Sequence, residues 1–211
     1  LSALLRILSD GNFYSGESLG AALGLSRAAV WKSLAGVETL GVPLISVKGR
    51  GYQIPGGLAL IDEAKIRLAL PQNFPPDIAF HVLPLIDSTN DFLLSKECIH
   101  NHVAVAEYQS AGRGRRGRKG ISPFGQNIYL SLGHSTSEGV AHFDGLSLAV
   151  GLSVVKTMEH LGFSDLKLKW PNDILFGDRK LSGVLIEIRG DILGDAELVV
   201  GLGVNYRVNN P

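Results

Sequence analysis

The segment Pro55-Gly56-Gly57 constrains the fold most, because it separates two regions with different hydrophobic patterns. Before it, apolar residues first recur at helical spacing and then alternate. After it, strand-like and helix-like segments follow one another. The chain has 211 residues, which is enough for one or two domains. We therefore predict two domains, residues 1–57 and residues 58–211.

The first region has the pattern of three helices followed by a β-hairpin. Apolar residues predict helices that end near Asp10 and Gly24, and a third helix that begins after the N-cap Ser26. Two helices joined by a glycine-containing turn are typical of a helix-turn-helix. Residues 43–54 alternate like two strands around a basic tip. Together these features predict a winged helix-turn-helix.

Charge favours DNA as the partner of this first region. Residues 1–56 contain five basic and three acidic side chains, although the whole chain has no net charge. The side chains predicted to contact DNA are Ser26, Arg27, Lys32, Lys48 and Arg50. A small three-helix domain for protein contacts is the alternative. Trp31 is expected in the core of this region rather than against a DNA sugar.

The second region is typical of a mixed α/β domain built around one sheet. The predicted strands cover residues 78–86, 103–108, 127–132, 166–170, 181–189 and 198–204. The predicted helices cover residues 62–70, 90–96 and 146–161. No stretch approaches the ~18 apolar residues of a membrane span. Because Cys98 is the one cysteine, we expect a reducing compartment, and hence a cytoplasmic protein.

A segment rich in glycine and arginine has the composition of an anion-binding loop. Residues 109–119 (QSAGRGRRGRK) contain five cations, three glycines and no acid. Repulsion between these cations predicts a segment that orders around an anion, with backbone N–H and guanidinium groups as donors. A solvated basic turn and a nucleic-acid patch are the alternatives. The dinucleotide pattern GxGxxG also matches, but no helix begins within it, so we reject a Rossmann site.

Two further polar segments follow the same logic. Residues 169–173 (KWPND) precede Lys180, which is expected at the start of a buried strand, facing an anion or paired with Asp173 or Asp178. Residues 87–90 (DSTN) lie at a strand-to-helix turn, where Ser88 or Thr89 either caps the helix or holds a polar ligand.

These segments, in this order and behind a winged helix, resemble the bifunctional biotin–protein ligase and biotin operon repressor family. The matching segments are DSTN (87–90), QSAGRGRRGRK (109–119), KWPND (169–173), DRKLSG (178–183), VGLGVN (200–205), SRAAVWK (26–32) and KGRGY (48–52). The resemblance implies an α/β (α+β) fold in which a winged helix-turn-helix precedes a mixed-sheet, class II synthetase-like catalytic domain. The small C-terminal β-barrel of the family is expected to be missing from this sequence.

The resemblance also implies an activity and a set of partners. Biotin and ATP with Mg²⁺ would form biotinyl-5′-AMP, from which a lysine of a biotin carboxyl carrier protein takes the biotinyl group. The adenylate-bound homodimer would bind operator DNA and repress biotin biosynthesis genes. No residue is predicted to bind a metal, and no membrane partner is expected. A ligand-sensing repressor without ligase activity and a lipoyl or octanoyl transferase relative are the alternatives.

The same resemblance assigns roles to individual residues. It implies that Lys180 and Arg115 are catalytic. The residues implied to bind biotin or biotinyl-AMP are Ser88, Thr89, Asn90, Gln109, Gly112, Arg113, Gly114, Arg115, Arg116, Lys180, Gly183 and Gly201. Gly120 stands where the family usually has a tryptophan, so we predict weaker retention of the adenylate.

Overall fold

The computed structural model describes residues 1–118, 120, 122–191 and 194–205, without the side chains of residues 141 and 142. These residues divide into two compact units. The N-terminal unit comprises Leu1–Ile61 together with Pro123–Gly125, and the sheet unit comprises the other described residues from Asp62 onward. Each unit is described separately below.

The N-terminal unit consists of three helices and a two-stranded antiparallel hairpin. Its elements are α1 (Ser2–Leu8), α2 (Gly16–Leu23), α3 (Arg27–Thr39), β1 (Ile45–Val47) and β2 (Gly51–Gln53). The predicted order of three helices and a hairpin is therefore confirmed.

Local capping chemistry explains where α2 and α3 begin and end. The Ser15 side chain accepts the Ser18 N–H, and the Ser26 side chain accepts the Ala29 N–H, so each helix has a polar N-cap. Gly24 ends α2 in the left-handed conformation, with a φ of 64°, which a residue without Cβ adopts readily. The predicted N-cap Ser26 is thus confirmed.

The expectation that Trp31 lies in the core is wrong. The buried face of α3 consists of Val30, Leu34 and Val37, which recur every three or four residues. Trp31 follows Val30 directly and therefore lies about 100° further around the helix, as the 3.6-residue repeat requires. Its exposed fraction is 69%, which places a large aromatic ring on the surface of the N-terminal unit.

The sheet unit is built on one mixed seven-stranded sheet. Its helices are α4 (Glu63–Ala69), α5 (Thr89–Leu94) and α6 (Leu146–His160). Its strands are β3 (Ala79–Leu83), β4 (His102–Ala106), β5 (Asn127–Thr136), β6 (Leu166–Lys169), β7 (Asp173–Phe176), β8 (Arg179–Gly190) and β9 (Ala196–Asn205). They lie in the order β3-β4-β5-β9-β8-β7-β6. Only the β3–β4 pair is parallel among the described strands, so the sheet is mixed, as predicted.

Alternation along β9 separates the two faces of this sheet. Leu198 and Val200 pack in one hydrophobic cluster with Val155 of α6. Val199 lies between them in sequence and packs in a second cluster with Leu93 of α5. Because side chains alternate along a strand, Gly201 and Gly203 share the α5 face with Val199.

The sequence patterns miss one strand and place some strand ends too late and others too early. They predict no strand between residues 166–170 and 181–189, but Asp173 begins β7, which pairs with β6 and β8. β5 continues to Thr136, four residues beyond its predicted end, because β9 pairs with it along its whole length. The long partner strand, rather than local propensity, determines this end.

Candidate functional site

The floor of the candidate site is a patch of sheet with almost no side chains. On the α5 face, Gly183 of β8 lies opposite Gly203 of β9, and Gly201 of β9 lies opposite Ser131 of β5. We call Gly183, Gly201 and Gly203 the glycine floor. A Cβ atom placed on Gly203 would have no atom within 4 Å, so this position is open. The glycine floor therefore leaves room for a ligand to lie against the backbone.

Asn90 covers one end of the glycine floor. A Cβ atom on Gly201 would clash with Asn90 Oδ1, so this approach requires glycine at position 201. Asn90 Oδ1 accepts a hydrogen bond from Ser131 Oγ at 2.6 Å, and Asn90 Nδ2 donates one to Glu187 Oε2 at 2.7 Å. Only 5% of Asn90 is exposed, and both ends of its amide are held by these side chains.

Thr89 and Gln109 extend this polar cluster. The Thr89 N–H and the Thr89 hydroxyl both donate to Gln109 Oε1, at 2.8 and 3.0 Å. Ser131 Oγ also lies 2.7 Å from Thr89 Oγ1. A Cβ atom on Gly112 would lie 3.0 Å from Gln109 Nε2, so glycine at 112 gives the Gln109 amide its space. We call Thr89, Asn90, Gln109 and Ser131 the oxygen cluster.

Counting protons shows that the oxygen cluster is rich in acceptors. A backbone N–H fixes the carbonyl of Gln109 toward Thr89, and the Glu187 carboxylate fixes the nitrogen of Asn90 away from Ser131. The hydroxyl groups of Thr89 and Ser131 supply two protons in total, whereas the three oxygen–oxygen contacts require three. One contact therefore has no proton, and a ligand that donates an N–H would complete the cluster.

Ser88 caps α5, which is one of the two roles that the sequence leaves open for it. Its side chain accepts the Asp91 N–H at 3.3 Å as the N-cap of α5, and only 4% of the residue is exposed. This cap fixes the turn that presents Thr89 and Asn90 to the sheet.

Arg113 lies beside the oxygen cluster and is held by two carboxylates. Its Nη2 donates to Asp91 and to both oxygens of Glu187, at 3.1 and 3.3 Å for the latter. The Arg113 side chain is 41% exposed, so the guanidinium group is also open to solvent. Glu187 thus connects the guanidinium group of Arg113 to the amide of Asn90.

Lys180 lies at the other end of β8 and pairs with the first residue of β7. Its Nζ is 2.7 Å from Asp173 Oδ1, with 51% of the lysine side chain and 27% of the aspartate side chain exposed. A Cβ atom on Gly183 would lie 2.9 Å from Lys180 Nζ, so glycine lets the amine lie along the glycine floor. The ion pair with Asp173, one of the alternatives from the sequence, is present, and it holds the amine at that floor.

The remaining arginines of residues 109–119 have no acidic partner in the part of the chain that the structure describes. Arg115 and Arg116 lie in a short 3-10 turn that the Gly114 N–H closes by donating to the Arg118 carbonyl at 2.7 Å. Arg116 has a φ of 58°, an uncommon conformation for a residue with a side chain. Lys119 lies outside the described residues. Arg115, Arg116 and Gly114 therefore remain predicted ligand contacts.

Tyr129 borders the glycine floor, since it lies opposite Gly203 on β5. Burial raises its pKa to about 12, so the phenol keeps its proton over the physiological range. The Asn127 side chain donates to its hydroxyl oxygen at 3.0 Å. Tyr129 is therefore a neutral polar wall of the site.

Sequence patterns miss three residues of this site: Ser131, Glu187 and Gly203. Ser131 and Glu187 occupy strand interiors, where one polar residue has no motif around it. Their alignment with Asn90 follows from the pairing of β5, β9 and β8, which local sequence does not specify. Gly203 lies in the segment VGLGVN, and glycine inside a strand pattern was the available signal for a close approach.

The N-terminal unit contains a separate candidate surface, a groove between α3 and the hairpin. Arg27, Trp31, Lys48 and Arg50 line it, and Lys32 lies exposed next to Trp31. The guanidinium carbon of Arg50 lies 4.0 Å from the centre of the Phe13 ring, a cation–π contact. Arg27, Lys32 and Lys48 have no ion pair within the described residues. Ser26 is exposed and caps α3.

Among the described residues, no group of three or more His, Cys, Asp or Glu side chains is arranged to hold a metal ion. None of the described helices has the length and apolar character needed to cross a bilayer.

The fold and the site define a two-unit α/β protein in which a helix-turn-helix precedes a sheet with a small-ligand site. Comparison with known proteins agrees: residues 1–53 match a helix-turn-helix domain family. The chain belongs to the biotin/lipoate A/B protein ligase family, which residues 82–205 match. The resemblance stated from the sequence segments is thereby confirmed.

Individual relatives agree with this family. The chain is 44% identical to "Bifunctional ligase/repressor BirA" of Salmonella typhimurium over 96% of its own length and 62% of that protein's length. A biotin protein ligase from Aquifex aeolicus in complex with biotin and ATP is 33% identical, with a TM-score of 0.52, over 63% of this chain and 54% of that one. One from Leishmania major in complex with biotinyl-5-AMP is 27% identical, with a TM-score of 0.53, over 65% and 60%.

Proposed function

We propose that the protein activates biotin with Mg-ATP to biotinyl-5′-AMP and transfers the biotinyl group to a lysine of a biotin carboxyl carrier protein. The observation that carries this proposal is the oxygen cluster of Thr89, Asn90, Gln109 and Ser131, which is one proton short. The ureido ring of biotin presents N–H donors, which are what this cluster lacks. The glycine floor beside it gives a flat ring and a chain space to lie against the sheet.

The chemistry requires cations and no nucleophilic side chain. In the first step a carboxylate oxygen of biotin bonds to the α-phosphorus of ATP and pyrophosphate leaves. Two anions meet in this step, so positive groups must neutralise the charge that develops. Lys180 and Arg115 are proposed to do this, with Arg113, Arg116 and Gly114 around the phosphate and Gly183 leaving space for it. Mg²⁺ enters with ATP as part of the substrate.

The second step is an acyl transfer. The amine of the carrier lysine attacks the biotinyl carbonyl carbon, and AMP leaves with the bonding electrons of the mixed anhydride. Because the anhydride hydrolyses readily, residues 109–119 are proposed to cover it after it forms. Gly112 and Gly201 are proposed to contribute to biotin binding indirectly, since each makes room for a side chain of the oxygen cluster.

We also propose that the N-terminal unit binds operator DNA when the adenylate-bound protein forms a homodimer. Exposed cations on α3 and on the hairpin tip support this, since a phosphate backbone is their natural counter-charge. The relative from Salmonella typhimurium is called a ligase and a repressor, which supports the same combination here. The functional domains are proposed to divide at residues 57 and 58.

The family description also includes lipoate, so a lipoate ligase is the second candidate. The ring of lipoate contains no N–H group and would leave the oxygen cluster incomplete. The cluster therefore favours biotin. A repressor without ligase activity is disfavoured because the chain retains Lys180, the proposed catalytic cation, held beside Gly183 at the glycine floor.

Exchange of label between pyrophosphate and ATP tests the proposed activity in the full-length protein. We expect exchange with biotin, and none with lipoate or without a carboxylic acid. Exchange driven by lipoate alone would make the protein a lipoate ligase. The absence of exchange with both acids would contradict the proposed ligase activity.

A further inference from the structure

Glu187 determines which way the Asn90 amide points. Asn90 Nδ2 donates to Glu187 Oε2 at 2.7 Å, while its other contact, with the Leu185 carbonyl, is longer at 3.4 Å. A carboxylate can only accept hydrogen bonds, so the nitrogen of Asn90 must face it. Asn90 Oδ1 then faces Ser131 Oγ and can only accept its proton. Through the Asn90 amide, the Glu187 carboxylate therefore sets the direction of the hydrogen bond made by the Ser131 hydroxyl group, which Glu187 does not contact.

The direction of the hydrogen bonds from Asn90 through Ser131 to Thr89 decides how many N–H donors of a ligand the oxygen cluster can accept. With Oδ1 toward Ser131, the single Ser131 proton is committed to Asn90, and the contact with Thr89 depends on the Thr89 proton. With the amide reversed, Asn90 Nδ2 would donate to Ser131 and supply the proton that the cluster lacks. A reversed amide would thus remove the acceptor that an N–H ligand uses.

We propose that Glu187 is a positioning residue for biotin, which keeps the oxygen cluster in its acceptor-rich state by fixing the orientation of Asn90. This inference rests on the proposed function, because the ligand is the N–H donor of the ureido ring. Glu187 acts through Asn90 and takes no direct part in the chemistry of either step.

The variant Glu187→Gln isolates the charge because the two side chains have the same shape. Arg113 donates to position 187, so it retains the amide oxygen of the new Gln side chain and turns the amide nitrogen toward Asn90. Asn90 then presents its oxygen to position 187 and its nitrogen to Ser131. We expect the Kd for biotin, measured by calorimetry in the full-length protein, to rise about tenfold, the effect of removing one hydrogen bond at a buried site.

Asp91→Asn is the matched control. It removes a carboxylate from the same guanidinium group of Arg113, with the same change of charge, but among the described hydrogen bonds the Asp91 side chain makes none with the Asn90 amide. We expect its Kd for biotin to stay within about twofold of the wild-type value, as for other exposed ion pairs. An equal loss in both variants would mean that Arg113, rather than Asn90, carries the effect, and would overturn the proposal.

The double variant Glu187→Gln with Asn90→Asp separates orientation from folding. Here the Gln nitrogen donates to the new carboxylate, and that carboxylate can only accept from Ser131, as Asn90 Oδ1 does now. We expect the double variant to bind biotin more tightly than Glu187→Gln alone. A double variant that is folded by circular dichroism and binds no better would overturn the proposal. If the wild-type protein binds no biotin, the proposed function itself fails, and this inference fails with it.

Discussion

The two units of this protein hold their cations in different ways. On the N-terminal unit, Arg27, Lys32 and Lys48 are exposed and have no ion pair within the described residues. In the sheet unit, Arg113 is held by Asp91 and Glu187, and Lys180 is held by Asp173. Paired cations lie at both ends of the site, and unpaired cations line an open groove.

This difference matches the difference between the two anions proposed as ligands. DNA is a repeating polyanion whose bound counterions are released by exposed cations, so no fixed geometry is needed before it binds. A single phosphate group requires cations at set positions, and a carboxylate partner keeps a flexible amine or guanidinium group in place before the ligand arrives. Arg115, Arg116 and Arg118 combine the two cases, because they lie within residues 109–119, which are proposed to cover the adenylate, but have no carboxylate partner in the described chain.

The largest expected effect is the loss of Lys180. Lys180→Ala removes a cation from the reacting phosphate and leaves Asp173 uncompensated beside it, so we expect pyrophosphate exchange to slow by about 100-fold or more. Lys167→Ala is the control, because Lys167 also pairs with a neighbouring carboxylate, Asp165, at 3.6 Å. Equal exchange rates in the two variants would show that the paired lysine at the glycine floor has no special role.

The second prediction concerns the shape of the small-ligand site. Gly203→Val places a side chain in open space on the glycine floor, so we expect the protein to fold normally and to bind biotin about tenfold or more weakly, as an overfilled pocket does. Thermal unfolding and biotin calorimetry on the same preparation measure both quantities. Unchanged biotin affinity would show that biotin does not bind against Gly203.

Salt dependence sharpens the description of the open groove. Lys48→Ala and Arg27→Ala each remove one exposed cation, so we expect weaker operator binding and a log–log salt slope that is smaller by about 0.9 for each phosphate that is no longer neutralised. Arg6→Ala is the control, because Arg6 is exposed on the same unit but does not line the groove. A slope that changes equally in Arg6→Ala would mean that the groove is not the DNA surface.

The smallest effect is expected from Gly120→Trp, which adds the aromatic ring that the family resemblance implies at this position. A Cβ atom at position 120 would lie 3.3 Å from the Gly112 carbonyl oxygen, a tight contact that a small backbone shift relieves. We expect release of the adenylate, followed in a chase experiment, to slow by about threefold to tenfold, the worth of one aromatic contact. Gly120→Ala adds the Cβ atom without the ring and should release the adenylate at the original rate. An off-rate unchanged by the tryptophan would contradict the predicted role of Gly120.

Local chemistry makes much of the fold and part of the site predictable. The caps at Ser26 and Ser88, the glycine at the end of α2 and the hairpin tip are all fixed by neighbouring residues. Thr89, Gln109 and Lys180 belong to short motifs, so the sequence points to them. The prediction for Trp31 is wrong because an aromatic residue beside a buried valine is apolar without being on the buried face.

The remainder of the site depends on strand pairing at long range. Asn90 and Glu187 are 97 positions apart, and the sheet brings them within hydrogen-bond distance. A shift of one residue between β8 and β9 would move Glu187 to the opposite face of the sheet. No residue near Glu187 in sequence indicates this arrangement, so only the three-dimensional pairing identifies it.

The two units are proposed to bind different anions with separate sets of residues. Biotin-dependent pyrophosphate exchange by the double variant Arg27→Ala with Lys48→Ala tests this separation, because both changes lie in the groove between α3 and the hairpin and neither touches the oxygen cluster or the glycine floor. We expect the same exchange rate as in the wild-type protein, together with weakened operator binding. Loss of exchange in this variant would contradict this separation.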